Sequence, residues 1–570
     1  MNSSHAEPSQ HAETTATAPR TLCEAFESAV ARHGDERAIV APDGSSITWS
    51  QYADRVRDLA AGLHELGLRP GDTLALMLST RPEFHLLDAA AIHLGAVPFS
   101  IYNTAPPQDV AYVLGNSRAK LAFVEDEFRP KVDVDRALTV SDLPEILARG
   151  AASTFDVQAA AARVSPEHVL TLIYTSGTTG EPKGVEITHA NVLAVAAGVN
   201  RVNGWPEDAQ LVTYLPMAHI GDRNVCHYWP MILGGTVTCC NDISHVLDVM
   251  REVRVHVVFG MPRLFEKLRA IIERDSDVAS LAALNQARRR AMGEDAPEPD
   301  RELLSNVRST YGFDRLQFGI TGGAMTPPDL MAFLHGLGMP VGEIWGMSEC
   351  TGVATMSAPG AQRVGTAGTP IPGVDVRLAE DGELELRGRG IMRGYRGRPD
   401  QTAEAFSDDG WLRTGDIGEI DSDGYVSVVD RKKELIIGSS GKNMAPARIE
   451  ARIKEAFPLI GGAVAIGDER PYNVALIALD PDACAGFARE HGLAGDSPAE
   501  LAAAPAVRTA IAEQINRAND QLSAPERIKC FTIVPVAWVP GGDELTPTMK
   551  PRRRVIISKY AAEIEALYRK

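Results

Sequence analysis

Residues 174–185, YTSGTTGEPKGV, carry side chains of the kind that hold phosphate. Residues 175–180 are all threonine, serine or glycine, and Lys183 follows them as a lone cation. Glycine lets a ligand approach the backbone closely, and hydroxyl and N–H groups donate hydrogen bonds to phosphate oxygens. We therefore expect a loop that wraps a polyphosphate tail and uses the lysine as a mobile charge.

Two other interpretations of this loop are weaker. A flexible linker would lie in solvated surroundings, whereas VLTLIYT before the loop and KGVEITH after it both have the composition of strands. A Walker phosphate loop has Ser or Thr after its lysine and opens onto a helix. Here Gly184 follows Lys183, and a strand is expected next. The pattern favours a loop held between two strands.

The composition narrows the class of protein. The chain has 570 residues, 44% hydrophobic and 23% charged, as in ordinary globular proteins, and this length allows roughly four domain-sized units. A net charge of −18 argues against nucleic-acid binding, which requires a basic surface. The seven cysteines form no CxxC pair, which argues against a zinc ribbon or a thioredoxin-like motif.

Hydropathy and cysteine usage predict a cytoplasmic protein. Residues 1–20 are polar and lack the basic start and apolar core of a secretory signal, so we expect a disordered tail. No apolar run reaches the length of about 18 residues that a transmembrane helix requires. The cysteine count also fits a reducing compartment.

Helical patterns and short apolar runs alternate through most of the chain. TLCEAFESAVARHGDERAIV indicates a helix followed by a strand, and this repeated alternation predicts an α/β fold with parallel sheet. From about residue 364, glycine, proline and short alternating runs indicate a β-rich subdomain. We place a boundary at residues 430–433, after which the pattern is that of a smaller α+β domain.

The loop at residues 174–185 resembles the signature loop of the adenylate-forming enzymes: acyl-CoA synthetases, aryl-CoA ligases, luciferases and peptide-synthetase adenylation domains. Further motifs of that family follow in its order, namely GGAMTPPDL, WGMSE, WLRTGDIG, DRKKELI and LTPTMKPRRR. The resemblance extends over nearly the whole chain after the tail. It implies a large N-terminal domain, residues 21–430, with two α/β sheets plus a β-rich subdomain. A small mobile α+β C-terminal domain, residues 431–570, would follow.

The resemblance implies a reaction in two halves that uses ATP, Mg²⁺ and coenzyme A. A carboxylate first attacks the α-phosphate of ATP, which gives an acyl-adenylate and pyrophosphate. The thiol of coenzyme A then attacks the activated carbonyl, and AMP leaves. Because negative charge moves onto the leaving pyrophosphate, the first half needs cations and fixed donors more than a base.

The resemblance also implies a nucleotide site. Trp345 would stack on adenine, Asp416 would accept hydrogen bonds from both ribose hydroxyls, and Arg431 would touch the ribose or a phosphate. Taken alone, Trp345 would be interpreted as a core residue and Arg431 as a solvated charge. The full set of implied ATP contacts is Thr175, Ser176, Gly177, Thr178, Thr179, Gly180, Lys183, Gly322, Gly323, Ala324, Trp345, Gly346, Met347, Ser348, Asp416 and Arg431.

Catalytic, metal and hinge residues are implied in the same way. Lys550 would bridge the substrate carboxylate and the α-phosphate, and Thr175 and Glu349 would hold Mg²⁺. Lys433 matches the hinge on which the C-terminal domain pivots between the half-reactions. The implied catalytic residues are Lys550, Glu349, Arg431 and His219, and the implied coenzyme A contacts are Gly438, Ser440, Gly441 and Lys442.

One motif bears on which acid is the substrate. LPMAHIGDR resembles LPLAHIxER of long-chain acyl-CoA synthetases. Asp222 stands where those enzymes usually have glutamate, and His219 would border the acyl pocket and the carboxylate. LTPTMK also resembles the long-chain branch. We therefore favour a fatty acid–CoA ligase that activates medium-to-long chains.

Other functions stay open at this point. The superfamily includes fatty acyl-AMP ligases and ligases that use an acyl carrier protein, an aryl acid or a polyketide acid. A non-catalytic relative that binds nucleotide or an acyl ligand is a second alternative. The expected partners are fatty acid, ATP and coenzyme A, with no nucleic acid. Weak peripheral membrane association and homodimer formation are left open.

Overall fold

The computed structural model describes residues 18–134, 136–175, 181–437, 443–455, 457–539, 541–546 and 549–569. The predicted tail at residues 1–20 therefore lies almost entirely outside the described residues. The mixed α/β architecture expected from the sequence is confirmed. No helix in the described part of the chain is both long and apolar enough to cross a membrane.

The largest sheet has seven strands in the order β18-β8-β7-β4-β3-β5-β6. Its strands are β3 (Thr73–Met77), β4 (Val97–Ser100), β5 (Ala119–Val124), β6 (Ala137–Thr139), β7 (Val169–Thr175), β8 (Lys183–Thr188) and β18 (Gly394–Tyr395). The five strands from β7 to β6 run parallel, and β8 and β18 add antiparallel pairs at one edge. The strands predicted on both sides of the phosphate loop are β7 and β8.

The second predicted sheet is split into two. One piece has the order β2-β1-β10-β9, with β1 (Arg37–Val40), β2 (Ser46–Thr48), β9 (Gln210–Thr213) and β10 (Thr236–Cys239). The other is parallel, with β11 (Val257–Gly260), β12 (Phe318–Thr321) and β13 (Val341–Glu343). The backbone N–H of His256 donates to the carbonyl of Gln210 over 3.0 Å, which joins β11 to β9.

The β-rich region expected after about residue 364 is an antiparallel sheet in the order β16-β17-β19-β20. Its strands are β16 (Val374–Leu378), β17 (Glu383–Gly388), β19 (Leu412–Ile420) and β20 (Val426–Arg431), preceded by the pair β14 (Thr355–Met356) and β15 (Thr369–Pro370). The predicted domain boundary falls where β20 ends, and the domain assignment itself stays a prediction.

The C-terminal region has its own sheet and its own core. It contains β21 (Ile436–Ile437), β22 (Asn443–Met444), β23 (Ile460–Ile466), β24 (Asn473–Leu479) and β25 (Ile528–Val534). The central strand β24 is buried at every residue. Ile449, Ile477 and Ile511 are fully buried in a cluster separate from the N-terminal core. Such a separate core allows this part to pack as a unit.

Helices cover the sheets. They are α1 (Leu22–His33), α2 (Trp49–Glu65), α3 (Pro82–His93), α4 (Pro107–Ser117), α5 (Leu143–Ala151), α6 (Val157–Ala161), α7 (His189–Asn203), α8 (Ile220–Arg223), α9 (Trp229–Leu233), α10 (Val246–Val253), α11 (Pro262–Asp275), α12 (Val278–Ala291), α13 (Arg301–Thr310), α14 (Pro328–Gly336), α15 (Pro399–Glu404), α16 (Pro446–Lys454), α17 (Pro481–Glu490), α18 (Pro498–Leu501), α19 (Pro505–Asp520), α20 (Arg553–Lys559) and α21 (Ala561–Tyr568). Helix α3 is buried over ten consecutive residues, Phe84 to His93.

The two parts meet through charged and close contacts. Lys267 Nζ lies 2.8 Å from Asp482 Oδ2, and Arg263 forms an ion pair with Asp480. A Cβ at Gly541 would stand 2.4 Å from Thr104, so only glycine allows this approach of the C-terminal chain. These contacts set the C-terminal domain against the N-terminal one beside the predicted site.

Candidate active site

The predicted phosphate loop is clamped by a β-hairpin. Thr175, the last residue of β7, pairs with Lys183, the first of β8, in antiparallel register. The ammonium of Lys183 lies 4.7 Å from the centre of the Tyr395 ring, within the range of a cation–π contact. Five of the predicted phosphate contacts lie outside the described residues: Ser176, Gly177, Thr178, Thr179 and Gly180.

Tyr395 links this lysine to the predicted metal residue. Its hydroxyl donates a 2.8 Å hydrogen bond to Glu349 Oε1, and Glu349 is 6% exposed. Burial and the neighbouring carboxylate both raise the pKa of Tyr395, so its phenol stays a donor at neutral pH. Sequence reasoning missed Tyr395. The sequence feature that could have identified Tyr395 is the Gly-Tyr dipeptide of β18, a strand that is hydrogen-bonded to β8.

Glu349 has a carboxylate oxygen available to bind magnesium. Only one of its carboxylate oxygens is taken by Tyr395, and Mg²⁺ prefers oxygen ligands while keeping waters and substrate phosphates. No group of three or more His, Cys, Asp or Glu side chains suited to a metal occurs among the described residues. A cation at Glu349 would therefore depend on phosphate oxygens for its remaining ligands.

The adenine-side turn and the WGMSE motif are brought together by parallel strands. β12 ends just before Gly322, and β13 ends just before Ile344, whose N–H donates to Thr321 O over 2.8 Å. The carboxyl ends of parallel neighbours lie at one edge of a sheet, where α/β proteins bind ligands. A Cβ at Gly322 would stand 2.8 Å from Ile344, so glycine is required for this contact. The remaining predicted residues of this edge are Gly323, Ala324, Gly346, Met347 and Ser348.

Two other residues predicted for the nucleotide site hold the side chain of Asp416. Trp345 Nε1–H donates to Asp416 Oδ2 over 2.7 Å, and Arg431 Nε lies 2.7 Å from Asp416 Oδ1. Asp416 and Arg431 face each other across the β19–β20 ladder. An ionised carboxylate has about four acceptor positions, so two remain for ribose hydroxyls. Trp345 is 7% exposed, and its stacking on adenine stays a prediction.

Lys550 reaches this cleft from the C-terminal domain. A tight turn holds it: its N–H donates to Thr546 Oγ1 over 3.0 Å, and the Thr546 N–H donates to its carbonyl over 2.9 Å. The residue is exposed to solvent, but desolvation by the surrounding protein nevertheless lowers the pKa of its ammonium. Arg431 lowers that pKa further, while Asp416, Glu434 and Glu349 oppose the shift. Lys550 therefore lies within electrostatic reach of the predicted nucleotide and metal residues.

The basic run after Lys550 is partly structural. Arg553 donates two 2.7 Å hydrogen bonds to Glu450, one to each carboxylate oxygen, and its Nε lies 3.1 Å from Glu434. A paired, largely buried guanidinium of this kind fixes the chain rather than forming a solvated tail. Arg553 thereby anchors the segment that carries Lys550.

His219 lies near Lys550 and begins α8. Its Nδ1 accepts a 3.1 Å hydrogen bond from the Gly221 N–H, and its ring stacks at 13° to Phe259. Burial, followed by the charge of Lys550, lowers the pKa of His219 to about 4. The imidazole is therefore neutral at pH 7, and because Nδ1 accepts, Nε2 carries the proton. His219 can donate that proton in a hydrogen bond to a substrate carboxylate.

Beneath α8 lies a buried charge network that sequence reasoning missed. Arg223 and Asp88, both 0% exposed, form an ion pair, and Arg223 Nε donates to the Tyr228 hydroxyl over 2.8 Å. His227 Nε2 lies 3.0 Å from the second Asp88 oxygen. The network ties α8 and the π-helical turn Asn224–Tyr228 to α3. Its one sequence signal was a lone aspartate in the apolar run FHLLDAAAIH.

Asp222, the position that departs from the long-chain motif, does not take part in this ion pair. It accepts a 2.5 Å hydrogen bond from Thr213 Oγ1, and burial raises its pKa to about 7. Its other oxygen has no partner among the described residues. The hydrogen bond from Thr213 opposes this shift, because a donor stabilises the charged carboxylate.

The predicted hinge and coenzyme A loop follow β20. Lys433 is exposed in the turn between β20 and β21, whereas its neighbour Lys432 lies 2.9 Å from Glu383. The predicted coenzyme A contacts, Gly438, Ser440, Gly441 and Lys442, lie outside the described residues. The hinge assignment therefore stays a prediction that rests on the position of Lys433 at the end of the last N-terminal strand.

Comparisons with known proteins identify the family of the chain. Residues 26–396 match the model of the AMP-binding enzyme family, and residues 433–570 match that of the AMP-binding enzyme C-terminal domain. The chain is 44% identical over 453 residues to the putative fatty-acid–CoA ligase fadD11 of Mycobacterium tuberculosis, covering 76% of this chain and 79% of the relative.

Two further similarities extend over more of the chain. It is 33% identical over 562 residues to the long-chain-fatty-acid–CoA ligase FadD15 of M. tuberculosis, covering 92% and 93% of the two chains. Its fold matches that of o-succinylbenzoate coenzyme A synthetase (MenE) from Bacillus subtilis, solved with ATP and a magnesium ion. The TM-score is 0.70 at 20% identity, with 93% of this chain and 98% of that chain covered.

Proposed function

The chain belongs to the AMP-binding enzyme family, and from that premise we propose that it is a fatty acid–CoA ligase. It activates a medium-to-long-chain fatty acid with ATP as an acyl-adenylate and transfers the acyl group to coenzyme A, with AMP and pyrophosphate as the other products. The observation that carries the proposal is that Lys550 of the C-terminal region lies within electrostatic reach of Glu349, Asp416 and His219.

In the first half-reaction, the chain supplies fixed positive charge. Lys183 and the hairpin loop hold the β- and γ-phosphates, and Thr175 and Glu349 hold Mg²⁺, which offsets phosphate charge. Lys550 bridges the substrate carboxylate and the α-phosphate, where its compact charge favours approach of two anions. The lowered pKa of Lys550 comes mainly from desolvation, which the arriving anions would counteract.

The nucleoside half of ATP is held by the Asp416 cluster. The ribose hydroxyls donate to the free positions of Asp416, whose orientation is fixed by Trp345 and Arg431. A carboxylate that already has two donors loses little freedom when it binds a ligand, which lowers the cost of binding. The turn at Gly322 lies under the adenine.

The acid lies against His219. Its neutral imidazole donates from Nε2 to the carboxylate, and Phe259 packs against its ring. Similarity to relatives named long-chain-fatty-acid–CoA ligase supports a medium-to-long acyl chain. The chain length itself depends on the apolar lining of the N-terminal domain.

In the second half-reaction, the C-terminal domain, residues 431–570, pivots at Lys433 against residues 21–430. Gly438, Ser440, Gly441 and Lys442 then contact coenzyme A. We further propose a cytoplasmic location, weak peripheral association with membranes that carry the acid, and a homodimer as the form to test first.

The proposal is tested by the products formed from a panel of acids. The purified chain is incubated with ATP, Mg²⁺, coenzyme A and acetate, benzoate, octanoate, palmitate or oleate, and thioester and AMP are quantified by mass spectrometry. We expect acyl-CoA and AMP in equal amounts, with the highest rates from the longer fatty acids. Acyl-AMP without thioester would instead indicate a fatty acyl-AMP ligase, and ADP with free phosphate would contradict activation through an adenylate.

A further inference from the structure

A surface groove of about 280 Å³ lies on the N-terminal domain, between α7 and the segments that flank β16 and β17. Its floor is apolar and includes Val195, Ile371 and Val374, all buried. Two arginines also line it, Arg201 at the end of α7 and Arg389 just after β17. None of these residues belongs to the proposed ATP, acid or coenzyme A contacts.

The charges of the groove are uncompensated. Neither the Arg201 nor the Arg389 guanidinium forms a hydrogen bond, an ion pair or a ring contact with any residue that the structure describes. Arg377 of β16, by contrast, is paired with Glu385 and Asp409. Two unpaired guanidinium groups beside an apolar floor form a site for one negative head group and a short apolar tail.

The groove is preformed by backbone contacts. Asn191 of α7 donates from Nδ2 to the carbonyls of Arg389, at 2.7 Å, and Ile391, at 2.9 Å, so the two walls are fixed to each other. A Cβ at Gly198 would stand 3.0 Å from the carbonyl of Pro372, which shows how closely the helix approaches the loop. Because these contacts are already formed in the free protein, ligand binding does not require the walls to become ordered first.

The wall that carries Arg389 continues to the active site. The carbonyl of Gly390 accepts a 2.7 Å hydrogen bond from Thr351, and the N–H of Met392 donates to the Glu349 carbonyl over 2.8 Å. Three residues later, Tyr395 holds the Glu349 side chain. The segment therefore contacts the groove on one side and the proposed metal residue on the other.

We propose that this groove is a regulatory site for a small anionic amphiphile. A phosphate or carboxylate head lies between Arg201 and Arg389, and a short alkyl tail lies on the Val195–Ile371–Val374 floor. Through the hydrogen bonds that join the Arg389 wall to Thr351 and Glu349, occupancy changes the affinity for Mg–ATP, a part of the inference that rests on the proposed function.

The first test measures binding of butyl phosphate, pentanoate and inorganic phosphate by NMR titration. A non-hydrolysable acyl-adenylate analogue fills the active site during the titration, so that the phosphate loop does not contribute. We expect butyl phosphate to bind at least fivefold more tightly than inorganic phosphate, and comparison with pentanoate tells which head group is preferred. Equal binding of butyl and inorganic phosphate would contradict a role for the apolar floor.

Variants locate the site. The double variant Arg201→Gln/Arg389→Gln should weaken butyl phosphate binding at least tenfold, and Ala197→Phe should block the groove without removing charge. Arg163→Gln is the matched control, because Arg163 is an exposed arginine without a side-chain partner among the described residues and does not line the groove. Unchanged binding in the double variant, or an equal loss in the control, would overturn the proposal.

A second readout tests regulation. Butyl phosphate should change the apparent KM for ATP at least twofold in the wild type and leave it unchanged in the double variant. Binding at the groove with no effect on ATP would overturn the regulatory part alone. If the acyl-adenylate analogue did not bind, the proposed function would be contradicted. Loss of butyl phosphate binding in the double variant would still identify the groove.

Discussion

Trp345 donates its indole N–H to Asp416 Oδ2 over 2.7 Å, although 70 residues of sequence lie between them. The bond joins the residue proposed to contact adenine with the residue proposed to hold ribose. Because Arg431 takes the other Asp416 oxygen, the carboxylate has one orientation before any ligand arrives. The nucleotide site is thereby organised in the free protein.

Trp345→Phe tests this organisation. The change keeps an aromatic ring but removes the donor to a charged acceptor, an interaction worth about 1.5–3 kcal/mol. We expect the KM for ATP to rise about tenfold, with a smaller effect on kcat, because a misoriented Asp416 binds ribose less well. Trp411→Phe is the control, since Trp411 packs against Arg377 and Arg387 in the β-rich subdomain. An unaltered KM for ATP in Trp345→Phe would separate Asp416 from nucleotide binding.

Tyr395→Phe tests the link between Lys183 and Glu349. The ring remains under the Lys183 ammonium, but Glu349 Oε1 loses its 2.8 Å donor. We expect the concentration of Mg²⁺ for half-maximal activity to rise severalfold, because Glu349 is no longer oriented. Activity is measured across Mg²⁺ concentrations at saturating ATP.

The matched control for that change is Tyr425→Phe, whose hydroxyl donates to the Ala361 carbonyl over 2.7 Å at a distant part of the surface. It should leave the Mg²⁺ dependence unchanged. If Tyr395→Phe lowered kcat at every Mg²⁺ concentration without shifting the midpoint, Glu349 would not act through a cation.

Lys550→Ala separates the half-reactions. The lysine reaches the cleft near Glu349 and Asp416, so its loss removes a positive charge where carboxylate and α-phosphate meet. We expect acid-dependent pyrophosphate release to fall by at least a hundredfold, while thioester formation from supplied acyl-AMP changes less than threefold. Loss of both activities to the same extent would show that Lys550 does not act in the first half alone.

The pKa of His219 depends on the nearby charge of Lys550. His219 should titrate near pH 4, which NMR of its ring protons measures directly. In Lys550→Ala this pKa should rise, but by less than half of its distance from 6.5, because burial is the larger cause. Since the folded pKa lies below the unfolded one, folding is favoured most above pH 6.5, and this contribution is lost as pH falls from 6.5 toward 4. A His219 pKa near 6.5 in the wild type would contradict the closed cleft.

Arg223→Met tests the buried network beneath α8. The substitution leaves Asp88 without its ion-pair partner at 0% exposure, which costs about 3–5 kcal/mol. We expect a large decrease in the denaturant midpoint of the N-terminal domain. Arg254→Met, which breaks the solvent-exposed pair with Asp314, should change the midpoint little, because water screens that pair. Similar losses in both variants would show that the Asp88–Arg223 pair is not desolvated.

The sequence alone determined the alternation of helices and strands, the β-rich change after about residue 364 and the hairpin around the glycine-rich loop, because these depend on local periodicity and turn residues. It also identified, by resemblance, the residues proposed for the reaction. The split of the second sheet was decided by long-range strand pairing, which leaves no local signal.

Only the tertiary structure decided which side chains of the site contact one another. Tyr395 meets Glu349, Arg223 meets Asp88 and Trp345 meets Asp416 only because distant strands and helices place them side by side. The lowered pKa values of His219 and Lys550 have the same origin, since desolvation depends on every segment that closes over a group. Residue type gives a side chain its chemistry, and the surrounding fold decides its charge, orientation and reach.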